Sequence, residues 1–374
     1  MSSAFDTVDL TKLLSILEHK IGLKGTVLKW FRSFLMGRQQ KVNIQGVLSD
    51  VLITLYGVPQ GSVLGPVLFN IYVSSLADVM KSQGLTSSSY ADDTNTRIKL
   101  SLQFQFYHIS YCIPELMKQV NNWMNEHFLK LYPQKTEIIL LYPPHLKNAD
   151  KLNGVFIEKN CVRFSNSVKL LGVRLDQALD FDLHVSSVVS SCMFHLKNIA
   201  KIKRYLTRAE TEKLVHAFMS SKFDYCNSLF IGIKQSSLSK LQAVQNRAAR
   251  IVLGLSPITT ITDDMLADLH WLKIECRIIF KILLLVHKFF IKAAPEWFSR
   301  NLVVMDNDSR LLFNMNLKSK SGRRSFSYVA PRYWNCIPKT IRLLDNSEKF
   351  KSSIKTVLFT NTNNIMDAAL GYAV

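Results

Sequence analysis

Apolar residues recur at three- and four-residue spacing from Asp9 to His19 and from Thr26 to Leu35, which predicts two short helices. Val42 to Leu55 predicts instead two short strands around Gly46. From Gly57 a glycine-rich turn leads into Val67 to Met80, whose pattern predicts one buried helix. Tyr90 to Leu100 predicts a hairpin with acids at its tip, and Cys112 to Leu129 an amphipathic helix. Ile138 to Tyr142 and Val168 to Leu175 are short strand-like runs. Helices and strands thus mix without βαβ regularity, so the first part of the chain is expected to be α+β.

Past Asp182 the strand signals nearly vanish. Val185, Val189, Cys192, Leu196 and Ile199 mark one long helix, and Thr211 to Phe223 a second. Ser237 is positioned to cap a third, which runs through Leu241, Val244 and Ala248 to a stop at Gly254. Arg277 to Phe290 forms a fourth. The pattern therefore predicts a domain of mixed structure at 1–180 and a mainly helical one at 181–374.

Charge sharpens this division. The 374 residues carry 47 Lys+Arg against 28 Asp+Glu, a net +19. Residues 1–180 hold 19 and 14 of these, net +5; residues 181–374 hold 28 and 14, net +14. Such a field favours polyanions, nucleic acid before membrane surface. Lys240, Arg247 and Arg250 share one side of the third helix, away from its apolar stripe, and Lys197, Lys201, Lys203 and Arg204 crowd the end of the first. Each set reads either as a phosphate-tracking surface or as a solvated helix face. Lys318 to Arg324 reads as a mobile basic loop rather than a nuclear-import patch.

Hydrophobic residues at 48% exclude an intrinsically disordered chain. Six cysteines without a CxxC pair argue against a zinc knuckle or a disulfide framework. The first ten residues lack a signal-peptide pattern, and Arg277 to Phe290 is too short and too charged to span a bilayer. A soluble intracellular protein, nuclear or cytoplasmic and not secreted, is the expectation.

Two segments carry chemistry. In Tyr90-Ala91-Asp92-Asp93, adjacent carboxylates at a hairpin tip are too costly to bury together. They are either a solvated acidic turn or ligands for cations, as in metal-assisted phosphoryl transfer. Gly57-Val58-Pro59-Gln60-Gly61-Ser62-Val63-Leu64-Gly65-Pro66 is a rigid turn whose backbone can approach a ligand closely.

Together, in this order and spacing, the segments resemble the polymerase motifs of reverse transcriptases from non-LTR, LINE-type retrotransposons. SAFDTVDL (3–10) resembles the end of motif A, GVPQGSVLGPVLFN (57–70) motif B, YADDT (90–94) motif C, LKLYPQKTE (129–137) motif D and VKLLGVRLD (168–176) motif E. Leu269 to Leu285 and Ala330 to Leu358, with APRYWNCIP, resemble the region that follows the polymerase. The resemblance implies a partial palm at 1–180 and a helical thumb and C-terminal region at 181–374. It implies RNA-directed DNA polymerisation with Mg²⁺ or Mn²⁺, on an RNA template, a DNA primer and deoxynucleotides.

By the same resemblance, Asp92 and Asp93 hold metal, with Asp92 the principal ligand, and Lys135 meets the polyphosphate. Phe5 gates the sugar, Gln60 and Gly61 line the nucleotide and template pocket, and Leu171 and Gly172 grip the primer. Lys240, Arg247 and Arg250 track the nucleic-acid backbone. The family's motif A also has a metal-binding aspartate five residues before the phenylalanine, and position five before Phe5 lies outside this sequence. Asp6 and Asp9 lie on the wrong side of Phe5 to substitute. A six-residue displacement is about 20 Å along a strand. The 374 residues alone are therefore expected to be inactive, with a catalytically dead relic that binds nucleic acid as the alternative.

Overall fold

The computed structural model describes residues 4–99, 111, 113–142, 154–157, 160–305, 309–312, 319 and 322–360. They fall into two compact units, Met1–Leu170 and Leu171–Val374.

The first unit is built on helices. Asp9 caps Leu10–His19 by accepting from the Lys12 amide at 2.6 Å, and Gly25–Leu35 follows. The expected long helix after the glycine-rich turn is two, Gly65–Tyr72 and Ser74–Ser82, with Val73 outside helical geometry between them. The Ser74 hydroxyl donates to the Ile71 carbonyl, a side-chain bond that competes with helix continuation. Ile113–Glu126 completes the set. These helices bury Leu13, Leu17, Leu68, Phe69, Tyr72, Leu76, Val120 and Trp123 against one another. Tyr72 ties three elements together. Its hydroxyl donates to the His127 carbonyl at 2.8 Å and lies 3.4 Å from the donating Asp9 amide, and burial pushes its pKa up to about 12.

The strands form local pairs. Gln39–Gln40 pairs with Leu52–Ile53 and Asn43–Ile44 with Val47–Leu48, so the two strands expected around Gly46 are one end of a longer double hairpin. Its apolar residues Ile44, Val47, Leu52, Ile53 and Leu55 are all exposed. Thr86–Tyr90 pairs with Asp93–Arg97, and Gly154–Ile157 with Asn160–Arg163. Among the described residues each sheet has two strands, so the unit is mixed helix and strand with its apolar core in the helices.

The second unit is mainly helical. Its principal helices are Asp182–Ile202, Arg208–Val215, Gln235–Leu253, Ile274–Phe290, Phe326–Asn335 and Ser347–Thr360. The expected helix over Thr211 to Phe223 is interrupted by a π turn at His216–Ser220. Val215, Met219 and Phe223 are buried at four-residue steps. A regular α-helix drifts by about 40° per such step, and one wider turn restores the phase. Ser237 does not cap the third helix. It lies inside Gln235–Leu253, buried, and its hydroxyl donates to Asp182 at 2.6 Å. Lys234 donates to the same carboxylate, and these bonds hold Asp182 below the usual carboxylate range. The stop at Gly254 is present, at φ 75°.

The basic stretch ending at Arg324 is also not simply a loop. Gly322–Arg324 is a 3₁₀ turn, and Arg324 donates to the carbonyls of Ile231 and Leu179 while standing 3.7 Å from Asp180. Lys318, Lys320 and Ser321 lie outside the described residues. The five described cysteines, at 161, 192, 226, 276 and 336, are free thiols. No helix among the described residues is long and apolar enough to cross a membrane.

Trp334, from the APRYWNCIP segment, is fully buried and stacks on Phe290 at 5.0 Å, and its indole N–H donates to the Ser309 carbonyl at 2.7 Å. Trp334→Ala is expected to cost about 3–5 kcal/mol, read as a lowered urea midpoint of the second unit.

Candidate active site

The two acids sit at the end of an exposed hairpin. Thr86–Tyr90 and Asp93–Arg97 are polar on both faces, and cross-strand contacts such as Ser89 to Thr94 at 3.3 Å supply what packing does not. Tyr90 pairs with Asp93, so the connecting turn is Ala91-Asp92. Ala91 adopts a left-handed φ of 51°, which costs an L-residue roughly 1 kcal/mol. This tight turn holds both carboxylates at one tip, Asp92 half-buried and Asp93 exposed.

A second cluster forms where the glycine-rich loop meets the segment after Ala4. The Gly57 amide donates to the Val8 carbonyl and the Val58 amide to the Phe5 carbonyl, each at 2.8 Å. Gly57 has φ 83°, and a Cβ there would stand 2.8 Å from the Asp6 Cα, so only glycine permits this approach. Arg38 donates to the Gly57 carbonyl from the other side. Three residues past Gly57, the Gln60 side-chain amide donates to the Asp6 carboxylate at 2.6 Å. Phe5 stacks on Phe69 at 4.6 Å, half-buried. Gly61, at φ 79°, is exposed beside Gln60. The structure thus brings Phe5, Gln60 and Gly61 to one place.

The other predicted residues lie on separate elements. Lys135 ends a 3₁₀ turn, Pro133–Lys135, and its ammonium lies 5.6 Å from the Tyr132 ring, with Lys130 at 5.5 Å from the same ring. Leu171 and Gly172 form a turn with both φ values positive, 45° and 85°. The Tyr225 hydroxyl donates to the Leu171 carbonyl, and its ring lies against Gly172. Lys240 and Arg247 are exposed on their helix. Arg250 is half-buried and donates through Nε to the Thr259 carbonyl at 2.6 Å, so part of its guanidinium is committed to the fold.

Sequence reasoning passes over Arg38, and over Tyr225 beside the Leu171-Gly172 turn, and weighs Asp6 only as a metal ligand rather than as the partner of Gln60. Asp6 and Arg38 are tied to the glycine-rich loop by contacts far apart in the chain. The one local signal is Gly57, whose absent side chain marks a close approach without saying to what.

A divalent cation of the Mg²⁺ type takes hard oxygen ligands, and Asp92 and Asp93 suit it in kind. Among the described residues no three His, Cys, Asp or Glu gather where they could share an ion.

Residues 1–175 match the family model described as reverse transcriptase (RNA-dependent DNA polymerase). The chain is 27% identical over 244 residues to a Drosophila melanogaster protein described as the probable RNA-directed DNA polymerase from transposon BS, covering 59% of this chain and 25% of that one. It is 24% identical over 287 residues to the RNA-directed DNA polymerase from mobile element jockey of Drosophila funebris, covering 74% and 30%. A Pol polyprotein from the type-1 retrotransposable element R1 of Nasonia vitripennis matches at 22% over 177 residues, 46% and 42% of the two chains. The chain spans a quarter to under half of these relatives' lengths. Residues 1–175 are a reverse transcriptase domain. Over these residues the chain is similar to reverse transcriptases, and the matches to jockey and R1 polymerases support one of the non-LTR retrotransposon type.

Gly57→Ala is expected to destabilise the first unit by more than about 1 kcal/mol, because the left-handed φ and the Asp6 backbone both oppose a Cβ. Thermal unfolding of the variant beside Gly61→Ala checks this. The latter shares the positive φ but has open space around it, and should lose less.

Proposed function

We propose that this chain carries the catalytic half-site of an RNA-directed DNA polymerase, with Asp92 and Asp93 as the carboxylates of the metal site. The observation that supports this most is the pair of acids held at one strained turn inside the family-matched region. In such sites Mg²⁺ or Mn²⁺, when bound, stabilises the charge that develops as a primer 3′-hydroxyl attacks the nucleotide α-phosphate and pyrophosphate leaves.

The remaining roles belong to the chain's own side chains. Phe5, braced on Phe69, presents a ring edge that excludes a 2′-hydroxyl. Gln60 and Gly61 form the floor of a nucleotide and template pocket, with Asp6 fixing the Gln60 amide. Lys135, held over Tyr132, neutralises polyphosphate, and the Leu171-Gly172 turn supports the primer. Lys240, Arg247 and the free face of Arg250 contact template and primer phosphates. In this reading residues 1–180 are a partial palm and 181–374 a helical thumb and C-terminal region.

In this reading the 374 residues alone do not polymerise, because among the described residues the carboxylates placed for metal come from one turn, and two-metal chemistry draws on two elements. Asp6 does not fill the gap, since Gln60 holds it beside Phe5. Primer extension on poly(rA) with Mg²⁺ or Mn²⁺ should therefore give no incorporation. Activity of the 374-residue chain that Asp92→Ala abolishes would overturn the inactivity while upholding the site. In a longer form from the same reading frame that does extend primers, Asp92→Ala should lower the rate by at least about 10²-fold, the scale of losing one preorganised electrostatic contact. Undiminished extension by that variant would sink the assignment of Asp92.

A second reading, a nucleic-acid binder without catalysis, is favoured by the extensive core that the second unit builds by itself. RNA affinity should then fall steeply with salt, and an affinity unchanged between low and high salt would exclude a phosphate-tracking surface.

A further inference from the structure

The helix Asp182–Ile202 has a face that its own core does not use. Val185, Cys192, Leu196 and Ile199 are buried on one side. At about 100° per residue, Phe194, Lys197, Asn198 and Lys201 project within roughly 100° of arc on the opposite side. All four are exposed, and Phe194 keeps 64% of its surface in solvent. The stripe continues past the helix end to Tyr205, 72% exposed, whose ring carries the Arg204 guanidinium 4.7 Å from its centroid. Flanking it, His195 stacks on the exposed Phe218 at 5.0 Å with 17° between ring planes, and Phe194 meets His195 edge-on at 5.5 Å.

Charge around these rings has one sign. Residues 183–206 contain Lys197, Lys201, Lys203 and Arg204 and no Asp or Glu. Acids of the following helix are engaged elsewhere: Glu210 closes a capping box with Thr207, and Glu212 accepts from the Trp271 indole. From Phe194 to Tyr205 the stripe is about 16 Å long, at roughly 1.5 Å per residue, the span of a few nucleotides.

We infer that this face, Phe194, Lys197, Lys201 and Tyr205 with the flanking His195–Phe218 pair, is a stacking platform for single-stranded nucleic acid. Exposed flat rings interleaved with cations match unstacked bases on a phosphate backbone. A duplex hides its base faces and can use only the cations. An anionic lipid surface would also meet the lysines, but a helix lying in a membrane inserts a continuous apolar face, whereas here Lys197, Asn198 and Lys201 interrupt the rings, and each ring is set against a neighbouring ring or a guanidinium. The inference rests on the nucleic-acid partner proposed above for the basic second unit, narrows it to a single strand at a named face, and does not depend on Asp92, Asp93 or metal.

The test is fluorescence anisotropy of the 374-residue protein in EDTA, with a labelled 15-nucleotide single-stranded RNA, the matching duplex, and phosphatidylcholine–phosphatidylserine vesicles. Binding should favour the single strand. Phe194→Ala and Tyr205→Ala should each weaken it at least about fivefold while leaving the duplex unchanged, and Phe194→Trp should restore what Phe194→Leu does not. Lys197→Ala should weaken both nucleic acids and lower the salt slope for the single strand by about 0.7. Equal losses on single strand and duplex, no loss in either aromatic variant, or vesicles bound more tightly than RNA would each overturn the platform. Because no metal is present, none of these results bears on the polymerase site. Each substituted residue is exposed, so unchanged circular dichroism is expected to accompany every variant.

Discussion

The geometry of the candidate site hangs on one backbone contact. Gly57 and Val58 donate their amides to the carbonyls of Val8 and Phe5, and the chains approach so closely that a single methyl group at Gly57 would collide with Asp6. Once that contact is made, the rest of the loop has little freedom. Gln60 arrives at the Asp6 carboxylate, Gly61 is placed beside it, and the helix Gly65–Tyr72 starts where Phe69 can brace Phe5. Gly65 repeats the device, since a Cβ there would lie 2.9 Å from the Pro59 carbonyl. Tyr72 then carries the constraint onward, from the Asp9 cap to the end of the helix Ile113–Glu126.

The two units solve the problem of burial differently. In the second, long amphipathic helices share a core that includes Leu241, Ile282, Phe350 and Trp334. In the first, the helices do the same on a smaller scale, while the hairpins stand largely outside the apolar core. A hairpin such as Thr86–Arg97, polar on both faces, gains little from the hydrophobic effect and rests on its ladder and turn. That fits the proposal that this hairpin presents carboxylates to ions rather than holding a domain together.

What was legible in the sequence follows from this difference. The helices Asp182–Ile202 and Ile274–Phe290, the Gly254 stop and the acidic hairpin all announce themselves through local periodicity or local turn chemistry. Departures occur where distant residues compete. Ser237 has the right chemistry for a cap, but Asp182 from another helix takes its hydroxyl. Arg324 reads as one more loop cation until the carbonyls of Leu179 and Ile231 draw it into the fold. The π turn at His216–Ser220 is a matter of phase, visible only once Val215, Met219 and Phe223 are known to share one core. The motif residues were readable, whereas the contacts they make were not: Gln60 meets Asp6, Gly57 meets Arg38 and Leu171 meets Tyr225 across 19 to 54 positions in sequence.

The double hairpin over residues 39–55 also shapes the life of the polypeptide. Val42, Ile44, Val47, Leu48, Leu52, Ile53 and Leu55 all stay exposed in the folded chain, on short strands with Asp50 as their one acid. During synthesis this segment leaves the ribosome long before the helices of the second unit exist. Among the described residues folding leaves it exposed, an apolar stretch of the kind that chaperones and proteases read in an immature protein.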